Sequence, residues 1–168
     1  QNTDAQKCPF YCMNPSNEIS LHRRDPVIIR QQNGTWVPYA NLVPFETRGH
    51  VVWVRVRQNG SLLTIPHLPQ VLTAEDVEDW LGLLAASRHM ASFFNGQHAG
   101  ASVPHLHFQS VYMSQTFAIE HARFEQHAGH WWIKDYPATG LVYPARVKPE
   151  RLYEDIACLQ EAGVPFNL

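Results

Sequence analysis

The chain has 168 residues, 45% of them hydrophobic and 17% charged, with a formal net charge of −2. That length and composition suit one domain, or one and a half, with a core of real size, and exclude a disordered chain. The charge balance, with no basic run, argues against an electrostatic nucleic-acid surface, and no apolar stretch approaches the roughly 18 residues of a membrane span.

The stretch "CPFYC" (8–12) opens the chain in a loop rich in Pro and Asn. The three cysteines, an odd count without a signal-like segment, point to a reducing, cytoplasmic compartment. The first residue is Gln rather than Met, so the reading assumes that some preceding sequence has been removed or left out. "PVIIRQQNGTWVPY" (26–39) reads as a hairpin turning at Asn33-Gly34. "HVVWVRVR" (50–57) reads as a mostly buried third strand, which Asn59-Gly60 turns back into "SLLTI" (61–65). The spacing of "TAEDVEDWLGLLAASRHMASFF" predicts a helix over 73–94, with Thr73 as N-cap and acidic residues in the first turn. Val77, Trp80, Leu81, Leu84, Ala91 and Phe94 would form its apolar stripe. A Gly-containing turn (95–102) then leads into a strand, "PHLHFQSVYM" (104–113).

"GLVYPA" (140–145) reads as a short strand and "KPERLYEDIACLQEAG" (148–163) as a helix, with Pro149 near its start and Gly163 past its end. Leu152, Ile156 and Leu159 make its buried stripe, and Cys158 is expected in the core beside them. The final "VPFNL" has the look of another strand beginning. The predicted class is α+β, with a mainly antiparallel sheet and a long helix.

Ten histidines are spread through the chain, so only spacing can single any out. On a strand, positions i, i+2 and i+4 share a face, which aims His105, His107 and Gln109 one way and Leu106, Phe108 and Ser110 the other, toward a core. An arbitrary H-x-H is most often a surface pair on an edge strand. Here the preceding Gly100-Ala101-Ser102 lets backbone N–H groups and a hydroxyl approach closely, as anion sites do. Two imidazoles and an amide on a buried face are costly unless something uses them. Together these residues describe a phosphate site that contains a nucleophile.

"GASVPHLHFQ" (100–109) resembles the signature of the transferase branch of the histidine-triad superfamily, which includes galactose-1-phosphate uridylyltransferase, diadenosine tetraphosphate phosphorylase and GDP-hexose phosphorylases. The hydrolase branches carry a third histidine where this chain has Gln109. "NLVPFETRGHVVWV" (41–54), "PHLPQVLTAEDVEDWLGLL" (66–84) and "FFNG" (93–96) are similar to the family's strand pair, its link into the long helix and its Asn-Gly segment. "FAIEHA" (117–122), "DYPATGLVY" (135–143) and "AGVPFNL" (162–168) are closer to the dinucleotide and GDP-hexose phosphorylases, so the likeness covers most of the chain.

The resemblance implies a histidine-triad-like domain over 1–130, followed by a strand–helix tail (131–168) like the start of a degenerate second half. The transferases named carry two halves, so this chain is expected either to be a fragment or to complete its site as a homodimer. His107 would attack the α-phosphorus of a nucleotide, and a second phosphorylated substrate would take the nucleotide from it. Gln109 donates hydrogen bonds but supplies no proton, which suits phosphate-type leaving groups. The expected donors are nucleotide sugars or dinucleoside polyphosphates, and the expected acceptors phosphate or a sugar phosphate. Ser102 matches the family's phosphate-contacting serine, Asn95 its asparagine before the turn, and Asn41 the acidic or amide residue that meets the ribose, so Asn41, His50, Asn95 and Gly100 are expected to line the substrate. His50 matches a histidine close to the nucleophile, with a strand histidine bonded to backbone as the equal alternative.

Two N-terminal cysteines, a histidine before the long helix and the first motif histidine hold a structural zinc in several family members. These map to Cys8, Cys12, His67 and His105, a closed tetrahedral set, although the cysteines are spaced C-x3-C rather than C-x2-C. Glu120 matches a glutamate that binds a second metal in some uridylyltransferases, but the H-x-H that completes such a site is absent. His121, His127 and His130 could group, though solvated loop positions are the plainer reading. Two other functions stay open: a hydrolase in which water takes the nucleotide from His107, and a non-catalytic nucleotide-binding module.

Overall fold

In the computed structural model the described residues are 28–41, 44, 49–59, 62–86, 88–113 and 116–168. "CPFYC", with Cys8 and Cys12, lies outside them, as do Pro26, Val27, most of 42–48, Gly60 and Ser61.

The first half is an antiparallel sheet. The strands are β1 (Ile29–Arg30), β2 (Thr35–Ala40), β3 (Val51–Asn59), β4 (Leu62–Thr64), β5 (Met90–Phe93) and β6 (His107–Tyr112). Their order is β1-β2-β3-β6-β5, with β4 paired to the far end of β3, and the sheet curls into a half-barrel. One long helix, α1 (Ala74–Ala85), lies between β4 and β5 in the chain. The second half holds a 3-10 turn (Ala118–His121), a small sheet β7-β8-β9 (Arg123–His127, His130–Lys134, Leu141–Val142) and helix α2 (Pro149–Glu161). The class is α+β.

Alternation sorts the large sheet into two faces. Trp36, Phe108, Phe94 and Leu106 form one core with Val77 and Trp80 of α1, and Leu152 and Ile156 of α2 belong to the same core. Phe108 is the centre of this packing, with ring centroids 5.1 Å from Trp36, 5.8 Å from Trp80 and 5.9 Å from Phe94. Each indole N–H on this face meets a short polar side chain. Trp80 Nε1 donates to Ser92 Oγ and Trp53 Nε1 to Ser110 Oγ, both at 2.8 Å. The opposite face gathers Val37, Val56 and Leu63 in a smaller cluster.

α1 begins where the sequence places it. Thr73 caps it by accepting from the Asp76 backbone N–H, and Asp76 Oδ2 accepts from the Thr73 N–H at 3.0 Å, a capping box. The helix ends at Ala85, not Phe94, and Met90–Phe93 is β5. The stripe through Ala91 and Phe94 is therefore a coincidence of periods. "MASF" alternates against β6, from Met90↔Tyr112 to Phe93↔Gln109, and sheet pairing outweighs a weak helical continuation through Ser87, Arg88 and His89.

The Asn33-Gly34 turn forms, but as a four-residue loop closed by Gln31 N–H donating to Gly34 O. Its residues are taken up by α1. Asp79 accepts from Asn33 N–H at 2.9 Å and from Trp36 Nε1 at 2.9 Å, and a Cβ on Gly34 would sit 2.7 Å from Arg55 Nε. Asp76 and Asp79, 2% and 1% exposed, are thus buried acceptors that pin the hairpin to the helix, with Arg55 bonded to Asp76 at 2.8 Å.

α2 spans its predicted range within two residues at each end, with Pro149 in its first turn and Gly163 at φ +64° beyond it. Cys158 is exposed rather than core, because the buried positions Leu152 and Ile156 are four apart and Cys158 lies two further on, off that stripe. The last residues extend the large sheet. Phe94 and Leu168 exchange both backbone hydrogen bonds (3.0 and 2.9 Å), and Gly96 N–H donates to Phe166 O at 3.0 Å.

Candidate functional site

β6 starts at His107, so His105 lies in the preceding bend, and only His107 and Gln109 share its strand face. That difference shapes the site. The bend turns the His105 carbonyl back onto the His107 ring, 2.7 Å from Nδ1. A carbonyl only accepts, so Nδ1 carries the hydrogen and Nε2 keeps its lone pair. Burial lowers the affinity of His107 for a second proton, more than the His105 carbonyl raises it. The imidazole is therefore neutral near pH 7, and its tautomer is defined.

The residues flanking this face are apolar. His107 pairs with Val54, and Gln109 pairs with Val52 on one side and Phe93 on the other, and cross-strand partners share a face. Gln109 Oε1 accepts from Asn41 Nδ2 at 3.2 Å and lies 2.9 Å from His50 Nε2, while Asn41 and His50 are 3.0 Å apart. Three positions singled out in the sequence thus meet in one triangle. His50, 6% exposed, bonds to side chains here. Because the carbonyl end of Gln109 is taken, its NH2 is the end available to a ligand.

One residue of this arrangement escaped the sequence reading. Gln70, 4% exposed in the link before α1, holds both sides of the His107 backbone. Its Oε1 accepts from His107 N–H at 3.0 Å, and its Nε2 donates to His107 O at 3.3 Å and to Asn95 O at 2.8 Å. Gln70 replaces the missing β5–β6 ladder where those strands part. A second glutamine, Gln160 of α2, clamps Leu72 in the same way, donating to its carbonyl at 3.0 Å and accepting from its N–H at 2.8 Å. The only signal for Gln70 in the sequence is a lone amide in an apolar link.

Asn95 follows Phe93 by two residues and so keeps to the His107 face. Gly100, at φ +101°, supplies the left-handed turn after it. Ser102 is exposed in the bend that follows, and no hydrogen bond joins it to His107 or Gln109.

His67 and His105 come together, with ring centroids 5.6 Å apart. Two imidazoles on one tetrahedral zinc, each bound at about 2.0–2.1 Å, have centroids roughly 5 Å apart, so the pair fits half of such a site. His105 is held down to about pKa 4 by burial first, then by His67 and His107, which keeps it in the neutral form that metals bind. Cys8 and Cys12 lie outside the described residues, and among those residues no three His, Cys, Asp or Glu side chains converge as a metal site. Glu120 instead accepts from Phe117 N–H at 2.8 Å. Of the histidines nearby, His121 bonds Thr116 at 3.1 Å, while His127 is paired with His130 across a hairpin and His130 bonds Arg151 at 3.2 Å. No described helix is long and apolar enough to cross a membrane. No family model, curated protein or solved structure matches the chain.

Proposed function

We propose that the chain is a nucleotidyltransferase or phosphorylase acting on a nucleotide sugar or dinucleoside polyphosphate through a nucleotidyl-histidine. The observation that carries this is the 2.7 Å contact of His107 Nδ1 with the His105 carbonyl. It leaves a neutral imidazole with its Nε2 lone pair beside the Gln109 amide.

In the first half-reaction Nε2 attacks the α-phosphorus. The P–O bond to the leaving phosphate breaks, and that oxygen departs with the bonding pair. The ring becomes cationic, and the His105 carbonyl, still bonded to Nδ1–H, stabilises the charge. Gln109 donates N–H to a non-bridging oxygen. In the second half-reaction a phosphate oxygen attacks phosphorus, the P–N bond breaks, and the pair returns to Nε2. Asn41 and His50 hold Gln109 from the ribose side. Gly100 and Ser102 shape the turn beside the phosphate. A structural zinc on Cys8, Cys12, His67 and His105 would pin the bend that presents His107. Association of two copies would complete the substrate site.

The test is to incubate the protein with [α-32P]GTP and with radiolabelled ADP-glucose, UDP-glucose and diadenosine tetraphosphate in turn. Acid-labile, base-stable label on the protein, absent from His107→Ala, is expected from at least one donor. If all four bind or are ignored without label, the reading fails. Release of label only after inorganic phosphate or a sugar phosphate is added separates a transferase from a hydrolase.

A further inference from the structure

We infer that Asn167 is a second phosphate-binding amide of this site, paired with Asn95, and that together they seat the phosphate group leaving from or arriving at the His107-bound phosphorus. The inference rests on the nucleotidyl-transfer reading and adds the phosphate acceptor's place to it.

Asn95 and Asn167 are directly opposed in an antiparallel bridge. The residues on either side carry the hydrogen bonds: Phe94 with Leu168, and Gly96 with Phe166. Asn95 and Asn167 are therefore the non-hydrogen-bonded pair, in which side chains stand closest, with Cα atoms about 4.5 Å apart. Two independent observations fix their face. Asn95 is two residues from Phe93, the neighbour of Gln109 on the His107 face. Phe166 and Leu168 pack against the main core on the opposite face, which turns the exposed Asn167 outward to the His107 side. Gly96 makes this docking possible, since a Cβ there would lie 2.5 Å from Phe166 O.

The β5–β6 register, continued from Phe93↔Gln109, brings Asn95 level with His107, and Gln70 spans the gap by bonding the carbonyls of both. Asn167, Asn95 and His107 thus form a row across the strands, with His107 at one end. Gln109 lies along the strand from His107, beside Asn41, so that direction is taken up by the nucleoside end. The row runs the other way, where the second phosphate must sit. Each amide offers two N–H donors and no charge. Such a pair suits a phosphate oxyanion that has to bind and then leave, and water gains little from it.

The experiment measures discharge of the labelled full-length protein as inorganic phosphate is varied, for wild type, Asn167→Ala and Asn167→Gln. With Asn167→Ala the phosphate concentration giving half-maximal discharge should rise about tenfold, the effect of losing one hydrogen bond to a charged group. Discharge to water should stay within twofold, and Asn167→Gln should recover part of the loss. An unchanged phosphate dependence in Asn167→Ala overturns the inference. A second readout needs no turnover: titration of unlabelled protein with inorganic phosphate, followed by NMR of the side-chain NH2 groups. Shifts at both Asn95 and Asn167 support the phosphate site even if no nucleotidyl-histidine forms, which would sink the transfer reading alone. Phosphate that leaves both resonances unmoved sinks this inference alone.

Discussion

Histidines stand in both sheets of the molecule, and the two sheets treat them differently. At the large sheet His50, His105 and His107 are 6%, 0% and 5% exposed, and the rings meet side-chain amides, a neighbouring ring and a backbone carbonyl in turn. In the small sheet His127 and His130 face each other across a hairpin, His127 exposed and His130 held by Arg151. The same residue type is a buried ring of fixed tautomer in one place and a side chain at the surface in the other. What separates them is a backbone bent onto the ring and clamped there by Gln70. Every polar partner in the large sheet should therefore matter more than its counterpart in the small one.

The sharpest contrast is between the histidines themselves. His107→Ala should lower single-turnover labelling at least about a thousandfold, as removal of a nucleophile does. His127→Ala should leave the rate within twofold. Comparable losses in the two variants would mean that burial and the Nδ1 contact do not define the reagent.

The acidic residues come next. Asp79→Ala strips the acceptor from Trp36 Nε1 and from Asn33 N–H inside the core. It should lower unfolding stability by about 3 kcal/mol in urea titrations. Glu125, whose partner Lys134 is a surface cation, is the comparison, and Glu125→Ala should leave the urea midpoint where it is. Equal shifts would break the distinction between buried acceptors and surface pairs.

Gln70→Leu keeps the volume of the clamp and removes its hydrogen bonds. With the His107 backbone no longer tied to Asn95, kcat should fall about 10–100-fold, the effect of a misplaced nucleophile, while the donor KM stays within threefold. Gln126→Ala on β7 should change neither constant. A rise in KM with kcat intact would reassign Gln70 from positioning to substrate binding.

Much of this was legible because period and turn chemistry act locally. The alternation in "HLHFQ" put His107 and Gln109 on one face and Phe108 in the core, and the Thr73 cap and the Pro149 start fixed where both helices begin. The end of α1 was not legible, since "MASF" fits a helix stripe until β6 is there to pair with it. The bend at His105 was hidden for a related reason: a strand pattern runs on through it, and the Nδ1 contact exists only once it breaks. Gln70, Asp79 and Asn167 meet residues far off in sequence, as Asp76 does at Arg55 beyond its local cap, so no window of neighbours reveals these contacts. Asn33-Gly34 read correctly as a turn, yet its company with Asp79 and Arg55 belongs to the tertiary fold.

The smallest effect belongs to the joint between the small sheet and α2, and it is a pH effect. Asp155 of α2 accepts from the Tyr143 hydroxyl at 2.5 Å and pairs with Arg151 at 3.1 Å, and Arg151 reaches His130 of β8. Burial raises the Asp155 pKa, but the Tyr143 hydroxyl and Arg151 outweigh it and hold the carboxyl below its usual value. A carboxyl depressed in the folded state stabilises the fold above its unfolded pKa, near 4, and that contribution is lost as pH falls through the lower folded value. Unfolding stability should therefore drop by about 1 kcal/mol as pH falls from about 5 toward 3, beyond what Asp155→Asn shows over the same range. Hydrogen exchange at the α2 amides should quicken in that window before the amides of β3 and β6 do, because Asp155 and Arg151 stand on α2 itself, and those strands carry neither group. If β6 loosened first in acid, the joint would be idle, and the large sheet would be the weaker of the two regions.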